Sequence, residues 1–320
     1  MFDEHQVSVH TFSMQREFVN REAELRELDA AAKKGGLLVV YGRRRIGKTR
    51  LLRQWLQPRE GMYSQAIEAQ RDLQIHQVYQ DLRPQLETQI VPKTWPELFE
   101  VLTLQKRRWV LCLDEFPYLT TTDPSLPSQV QKWLDHSLPS GCLVILAGSS
   151  TRMMHSLFLR RAAPLYGRAT KLLHLQPMTY TAFCQACGQE AGNPESFEKF
   201  ACVGGIPKYW EFVETNQDVV TLAEALYFDF APYLEQEPQR ILLDEGVSGV
   251  NAIAMLEAVG RGAERPSEIA TRLGTAQTNL SRVLQQLLDT SILARELPFG
   301  ESMRSTKKTL YRIQDPTIRF

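Results

Sequence analysis

Residues 42–49 read Gly-Arg-Arg-Arg-Ile-Gly-Lys-Thr and fill every fixed position of the pattern G-x-x-x-x-G-K-[ST]. The glycines let the backbone turn sharply, so that its N–H groups converge on phosphate oxygens. A helix following the loop adds the partial positive charge of its N-terminus. Such a loop works only between a strand and a helix. Leu37–Tyr41 is a short apolar run and Thr49–Gln57 is patterned as a helix, so that order is present. In this setting Lys48 is expected to reach the β- and γ-phosphates of a nucleotide, and the Thr49 hydroxyl to ligate Mg²⁺.

Further short apolar runs occur at Trp109–Leu113, Leu143–Ala147 and Leu172–Leu175, with a weaker one at Met62–Ala66. Helical patterns lie between them, as at Trp95–Leu104 and Pro127–Leu138. Strands alternating with helices predict an α/β fold, with a parallel sheet covered by helices on both faces. One strand ends in Asp114-Glu115. An Asp at the carboxyl end of a buried strand can hold the magnesium ion, and the adjacent Glu115 can polarise a water for in-line attack on a γ-phosphate. The spacing leaves room for an additional strand between the two motifs. Together with Glu115, that strand argues against a small-molecule kinase. Leu143–Ala147 leads into Gly148-Ser149-Ser150. Ser149 or Ser150 either senses the γ-phosphate and orients water, or simply caps the strand end. An arginine would stabilise the transition state, and Arg152, Arg160, Arg161 and Arg168 are the candidates.

Lys plus Arg and Asp plus Glu number 37 each. This balance excludes a bulk polycation and an acidic disordered tail. The longest apolar run, Cys142–Ala147, falls far short of the ~20 residues that span a bilayer. No signal peptide is visible, and five cysteines suit reduced thiols, so a cytoplasmic protein with no membrane partner is expected. Cys184-Gln185-Ala186-Cys187 has no second pair for a zinc site and reads as two small helix residues.

Phe18-Val19-Asn20-Arg21-Glu22, the loop 42–49, Asp114–Leu119, Gly148–Ser150, Leu165–Arg168 and Gly204-Gly205-Ile206-Pro207-Lys208-Tyr209 together resemble archaeal-type ATPases of the STAND class, AAA-like P-loop NTPases with a C-terminal winged helix. The resemblance covers nearly the whole chain. It implies ATP or ADP with Mg²⁺, and an adenine flanked by Phe18, Val19, Asn20 and Pro207. The full set of implied nucleotide contacts is Phe18, Val19, Asn20, Arg21, Gly42, Arg45, Ile46, Gly47, Lys48, Thr49, Arg50, Ser149 and Pro207. Thr49 and Asp114 hold the metal, Glu115 and Lys48 are catalytic, and Arg168 is the arginine that matches the family pattern. Members commonly carry a further nuclease-like domain. The chain ends at Phe320 near where that domain would begin, so nuclease activity is not carried over.

Residues 1–180 are expected to form the ATPase core, 181–246 a helical lid or linker, and 247–320 a winged helix-turn-helix. Glu195–Glu214, broken at Gly204–Pro207, and Val219–Tyr233 are expected to be helical. In the last part, Pro266–Gly274 predicts a short helix capped by Ser267. Thr275 then caps a second helix, whose Leu280, Val283, Leu284, Leu287 and Leu288 form one buried stripe. Strands at Ile292–Leu297 and Thr309–Ile313 complete the pattern. The second helix offers Gln277, Thr278, Asn279, Ser281 and Arg282 to a DNA major groove, and Arg304, Lys307 and Lys308 suit phosphate contacts.

The leading expectation is a Mg-ATP-hydrolysing switch, with self-association open. The alternative is a nucleotide-sensing regulator that binds duplex DNA, with hydrolysis incidental; it resembles origin-recognition initiators. Charge is segregated along the chain. Residues 33–53 carry eight basic side chains and no acid, whereas residues 211–245 carry nine acids and one base. The acidic segment is therefore expected to face the basic core in a closed state.

Overall fold

The computed structural model describes residues 18–59, 61–247, 250–302 and 309–319. Arg304, Lys307 and Lys308 lie outside the described residues. Five parallel strands, β1 (Gly36–Tyr41), β2 (Met62–Gln65), β3 (Val110–Asp114), β4 (Leu143–Gly148) and β5 (Ala169–His174), form one sheet in the order β2-β3-β4-β1-β5. The strand that falls between the two motifs in the sequence is β2, at one edge of the sheet, whereas β4 follows Asp114 in the chain and lies in the sheet between β1 and β3.

Successive side chains of a strand point to opposite faces, and here each face is buried. Leu38 and Val40 of β1 and Ile145 of β4 enter one core; Leu37, Val39 and Tyr41 with Leu146 enter the other. The first core is closed by α1 (Glu22–Lys34), α2 (Lys48–Leu56), α8 (Tyr180–Cys187), α9 (Pro194–Val203) and residues 206–234. The second is closed by α3 (Arg71–Leu82), α4 (Trp95–Thr103), α5 (Phe116–Thr122), α6 (Leu126–His136) and α7 (Thr151–Phe158). The result is a three-layer α/β sandwich of the P-loop NTPase type.

The segment after residue 213 departs from one long helix. α10 (Val219–Ala223) passes into a π-helical turn over Glu224–Phe228, and the helix stops there. Pro232 lacks the N–H needed to continue it, and Leu234 N–H folds back to donate to the Leu226 carbonyl at 2.9 Å. Beyond lie α11 (Glu237–Asp244), α12 (Val250–Gly260), α13 (Pro266–Arg272), α14 (Gln277–Asp289), an antiparallel pair β6 (Leu293–Glu296) and β7 (Leu310–Ile313), and α15 (Pro316–Arg319). Ile241 and Leu242 of α11 pack in the same core as Leu280, Leu284 and Leu287 of α14.

Two helix starts differ from expectation. Pro266 occupies the first turn of α13 and biases the residue before it to extended backbone. Arg265 is therefore the cap, and the Glu268 carboxylate accepts from the N–H groups of Glu264 and Arg265, both at 3.1 Å. α14 starts after Ala276, and Thr275 instead accepts from the Asn279 amide.

Candidate active site

In a parallel sheet all strands end on the same edge, where ligands bind. That edge gathers the loop after β1, Asp114 and Glu115 after β3, and Ser149 and Ser150 after β4. The loop keeps its shape through Gly42 at φ 150°, Arg45 at φ 68° and Gly47 at φ 97°. Buried Lys48 donates to the carbonyls of Gly42 at 2.8 Å and Arg43 at 3.1 Å. Burial lowers the pKa of its ammonium, opposed by the nearby carboxylates of Glu115, Asp114 and Glu245.

Asp114 is fully buried. Its Oδ2 accepts from the Thr49 hydroxyl at 2.6 Å and the Tyr63 phenol at 2.8 Å, and its Oδ1 from the Glu115 N–H at 3.0 Å. A hydroxyl and a carboxylate side by side form a hard-oxygen donor set that fits Mg²⁺. Nothing in the sequence spacing points to Tyr63. Register supplies the contact: β2 pairs with β3, and Tyr63 sits opposite Cys112, two residues before Asp114. Burial and the Asp114 charge push the Tyr63 phenol up in pKa.

Glu115 begins α5 in the left-handed region, at φ 55°. A non-glycine residue there is strained, and its carboxylate accepts from Ser149 N–H at 3.1 Å and from the Ser149 hydroxyl. Lys48, Thr49, Glu115, Ser149, Gly47, Arg44, Arg45, Arg50 and Pro207 line one open cavity of 820 Å³.

Phe18, Val19, Arg21, Arg50, Met178, Pro207 and Trp210 line an adjoining recess of 30 Å³. The Arg50 guanidinium lies 5.7 Å from the centre of the Phe18 ring. Asn20 is not part of this lining: it is exposed, and its amide lies 3.4 Å from the Thr179 hydroxyl. Arg21 is buried, and its terminal guanidinium nitrogens donate to the Ile46 and Gln176 carbonyls, both at 3.1 Å, and to Glu24. It braces the loop from behind. Ile46 is likewise a core residue, 1% exposed. Pro207 reaches the site because Gly205 allows close approach: a Cβ there would lie 2.4 Å from the Met178 carbonyl.

Arg168 is the clear departure. It precedes β5 and so lies at the opposite edge of the sheet, where it is paired with Asp135 at 3.0–3.1 Å. It does not reach the site of its own chain. Arg152 donates to the Gly246 carbonyl at 2.6 Å.

The acidic segment 211–245 meets the loop through α11, and Asp315 beyond it meets Arg43. Arg45 pairs with Glu237 at 2.6 Å, Arg44 with Asp244 at 2.8 Å, and Arg43 with Asp315. Buried Glu245 accepts from the N–H groups of Thr151 at 3.1 Å and Arg152 at 3.0 Å, and burial raises its pKa.

Residues 18–213 match the family model of an ATPase domain predominantly from Archaea. An uncharacterized protein of Methanocaldococcus jannaschii, MJECL04, is 28% identical over 317 residues, which make up 95% of this chain and 67% of that protein. The Walker-type ATPase PABY2304 of Pyrococcus abyssi superposes with a TM-score of 0.68 at 20% identity, covering 96% of this chain and 98% of that one. The ORC2 protein of Aeropyrum pernix, solved as ADPNP–ADP complexes, gives 0.60 at 14% identity, covering 96% and 93%. Both structures share the fold.

Proposed function

This chain belongs to the family of ATPase domains found predominantly in Archaea, and from that membership we propose that it is a STAND-type switch that binds Mg-ATP and hydrolyses it slowly in the cytoplasm. The observation that carries the reading is the Glu115 carboxylate, held by Ser149 on the cavity that Lys48 and Thr49 also line.

Lys48 turns from the loop's own carbonyls to the β- and γ-phosphates. Thr49 and Asp114 would hold the metal, which would supply charge neutralisation on the phosphates. Glu115 accepts the proton of the attacking water and Ser149 keeps the carboxylate in place. The base enters the recess between Phe18 and Pro207, displacing Arg50 from the Phe18 ring. Arg168 can serve only a neighbouring copy, so its catalytic role requires self-association. We take residues 1–180, 181–246 and 247–320 as the working parts, residues 182–234 of the second packing on the sheet and its α11 packing on the last.

Phosphate release measures the reaction. Lys48→Ala and Glu115→Gln should each lower it by at least about a hundredfold, the second without loss of ATP binding. Wild-type turnover by Glu115→Gln would remove the assignment.

One observation favours the second reading, a DNA-binding regulator. Gln277, Thr278, Asn279, Ser281 and Arg282 are all solvent-exposed on α14, the position of a recognition helix when α12–α14 and β6–β7 are taken as a winged helix. Binding to a DNA duplex should then weaken steeply with salt and drop in Arg282→Ala. No binding at low salt with either ADP or ADPNP excludes it.

A further inference from the structure

The three variable positions after Gly42 are all arginine, and each is already met by a carboxylate from the C-terminal third of the chain. Glu237 and Asp244 are seven residues apart, two helical turns, so both carboxylates stand on one face of α11. That face lies on the loop: Glu237 holds Arg45 at 2.6 Å and Asp244 holds Arg44 at 2.8 Å. The Tyr233 ring adds to the clasp, its centre 5.2 Å from the Arg45 guanidinium carbon.

The three arginines are not equivalent. Arg44 and Arg45 line the 820 Å³ cavity with Lys48 and Thr49. Arg43 is held chiefly by Asp315 and the Tyr209 hydroxyl, with a Glu237 carboxylate oxygen 3.9 Å away. Arg43 is thus an anchor between core and C-terminal part. Arg44 and Arg45 face both ways.

We propose that α11 is an internal substitute for nucleotide phosphate: Glu237 and Asp244 and the phosphates of ATP compete for the same guanidinium groups of Arg44 and Arg45. The proposal rests on the reading of residues 42–49 as a nucleoside triphosphate site. Carboxylate and phosphate oxygens accept from the same donors, and placed side by side they repel each other. A phosphate chain on Arg44 and Arg45 therefore loosens α11. Glu245 follows α11 directly, so its release also withdraws that carboxylate from the start of α7, beside the Ser149 that holds Glu115. Phosphate occupancy is thereby coupled to the seating of the C-terminal part.

Hydrogen exchange on the full chain tests this, read over the amides of residues 237–247 with no nucleotide, with ADP and with ADPNP, while calorimetry follows binding separately. Exchange over α11 should rise with ADPNP. The double variant Glu237→Gln/Asp244→Asn should bind ADPNP about fivefold more tightly, because no carboxylate has to be displaced. Should the double variant fail to fold, Asp244→Asn alone removes the more exposed pair and should shift affinity in the same direction. Glu211→Gln separates competition from general electrostatics, since Glu211 lines the cavity but binds Lys208. It should leave exchange over α11 as in the wild type.

Normal ADPNP binding with unchanged or slowed α11 exchange overturns the competition alone. So does an affinity gain in Glu211→Gln that equals that of the double variant. Absence of any ADPNP binding overturns the nucleotide reading and the competition with it.

Discussion

Gly42 and Gly47 bracket the phosphate loop, yet they are glycine for different reasons. Both hold positive φ, at 150° and 97°. A Cβ at position 42 would also lie 2.7 Å from the Leu175 carbonyl oxygen, a backbone atom that cannot swing away. At position 47 nothing lies within 4 Å, so the penalty there is torsional only. Gly42→Ala should therefore cost about 1–3 kcal/mol more than Gly47→Ala, the usual price of forced overlap in a packed region. Denaturant midpoints of the two variants check this; equal midpoints would mean that Leu175 yields at no cost. Lys48, Thr49, Asp114 and Glu115 were legible at this scale because a phosphate site demands those residue types at fixed local offsets. Tyr63 and the bracing role of Arg21 were not, because they depend on partners 51 and 25 residues away.

At the scale of elements, the sequence disclosed what is periodic and local. The three central strands, β1, β3 and β4, announce themselves as short apolar runs, since a parallel strand buried on both faces must be apolar at nearly every position, and the edge strands β2 and β5 do so less clearly. β5 was the least well bounded. It is an edge strand, and its Thr170 and Lys171 are exposed, so the apolar run begins only at Leu172. The helical segment misled for a related reason. Val219–Tyr233 has helical spacing throughout, but Tyr227 donates to the Cys202 carbonyl at 2.6 Å and the chain turns back after Phe228. Pro232 and the Tyr227 contact together end that helix, although its apolar spacing runs on to Tyr233. The pairing of α11 with the loop shows the same limit. Clustering of charge in the sequence forecast that acid would meet base, whereas assigning Glu237 to Arg45 and Asp244 to Arg44 required the folded chain.

At the scale of the whole molecule, the zero net charge is a sum over parts that attract one another, and the seam between core and C-terminal part carries more than those ion pairs. The ring of Tyr41, at the end of β1, stacks on His174 of β5 with centroids 4.5 Å apart and meets His155 of α7 edge-on at 5.4 Å. Burial lowers the pKa of both histidines from the ordinary 6.5. Each charged ring would repel the other, while Asp289 at the end of α14 partly offsets burial at His155. The sign follows from linkage. As pH falls, the unfolded chain takes up these protons first, so the stability the neutral rings supply is present above pH 6.5 and is lost as pH drops through their lowered folded values. The melting temperature should therefore decline between pH 7 and pH 5, before most carboxylates are protonated. His155→Gln/His174→Gln should flatten that decline. Asp289→Asn should steepen it, since His155 then loses a carboxylate that favours its charged form. A decline of the same depth in the double variant would place the acid sensitivity elsewhere in the molecule.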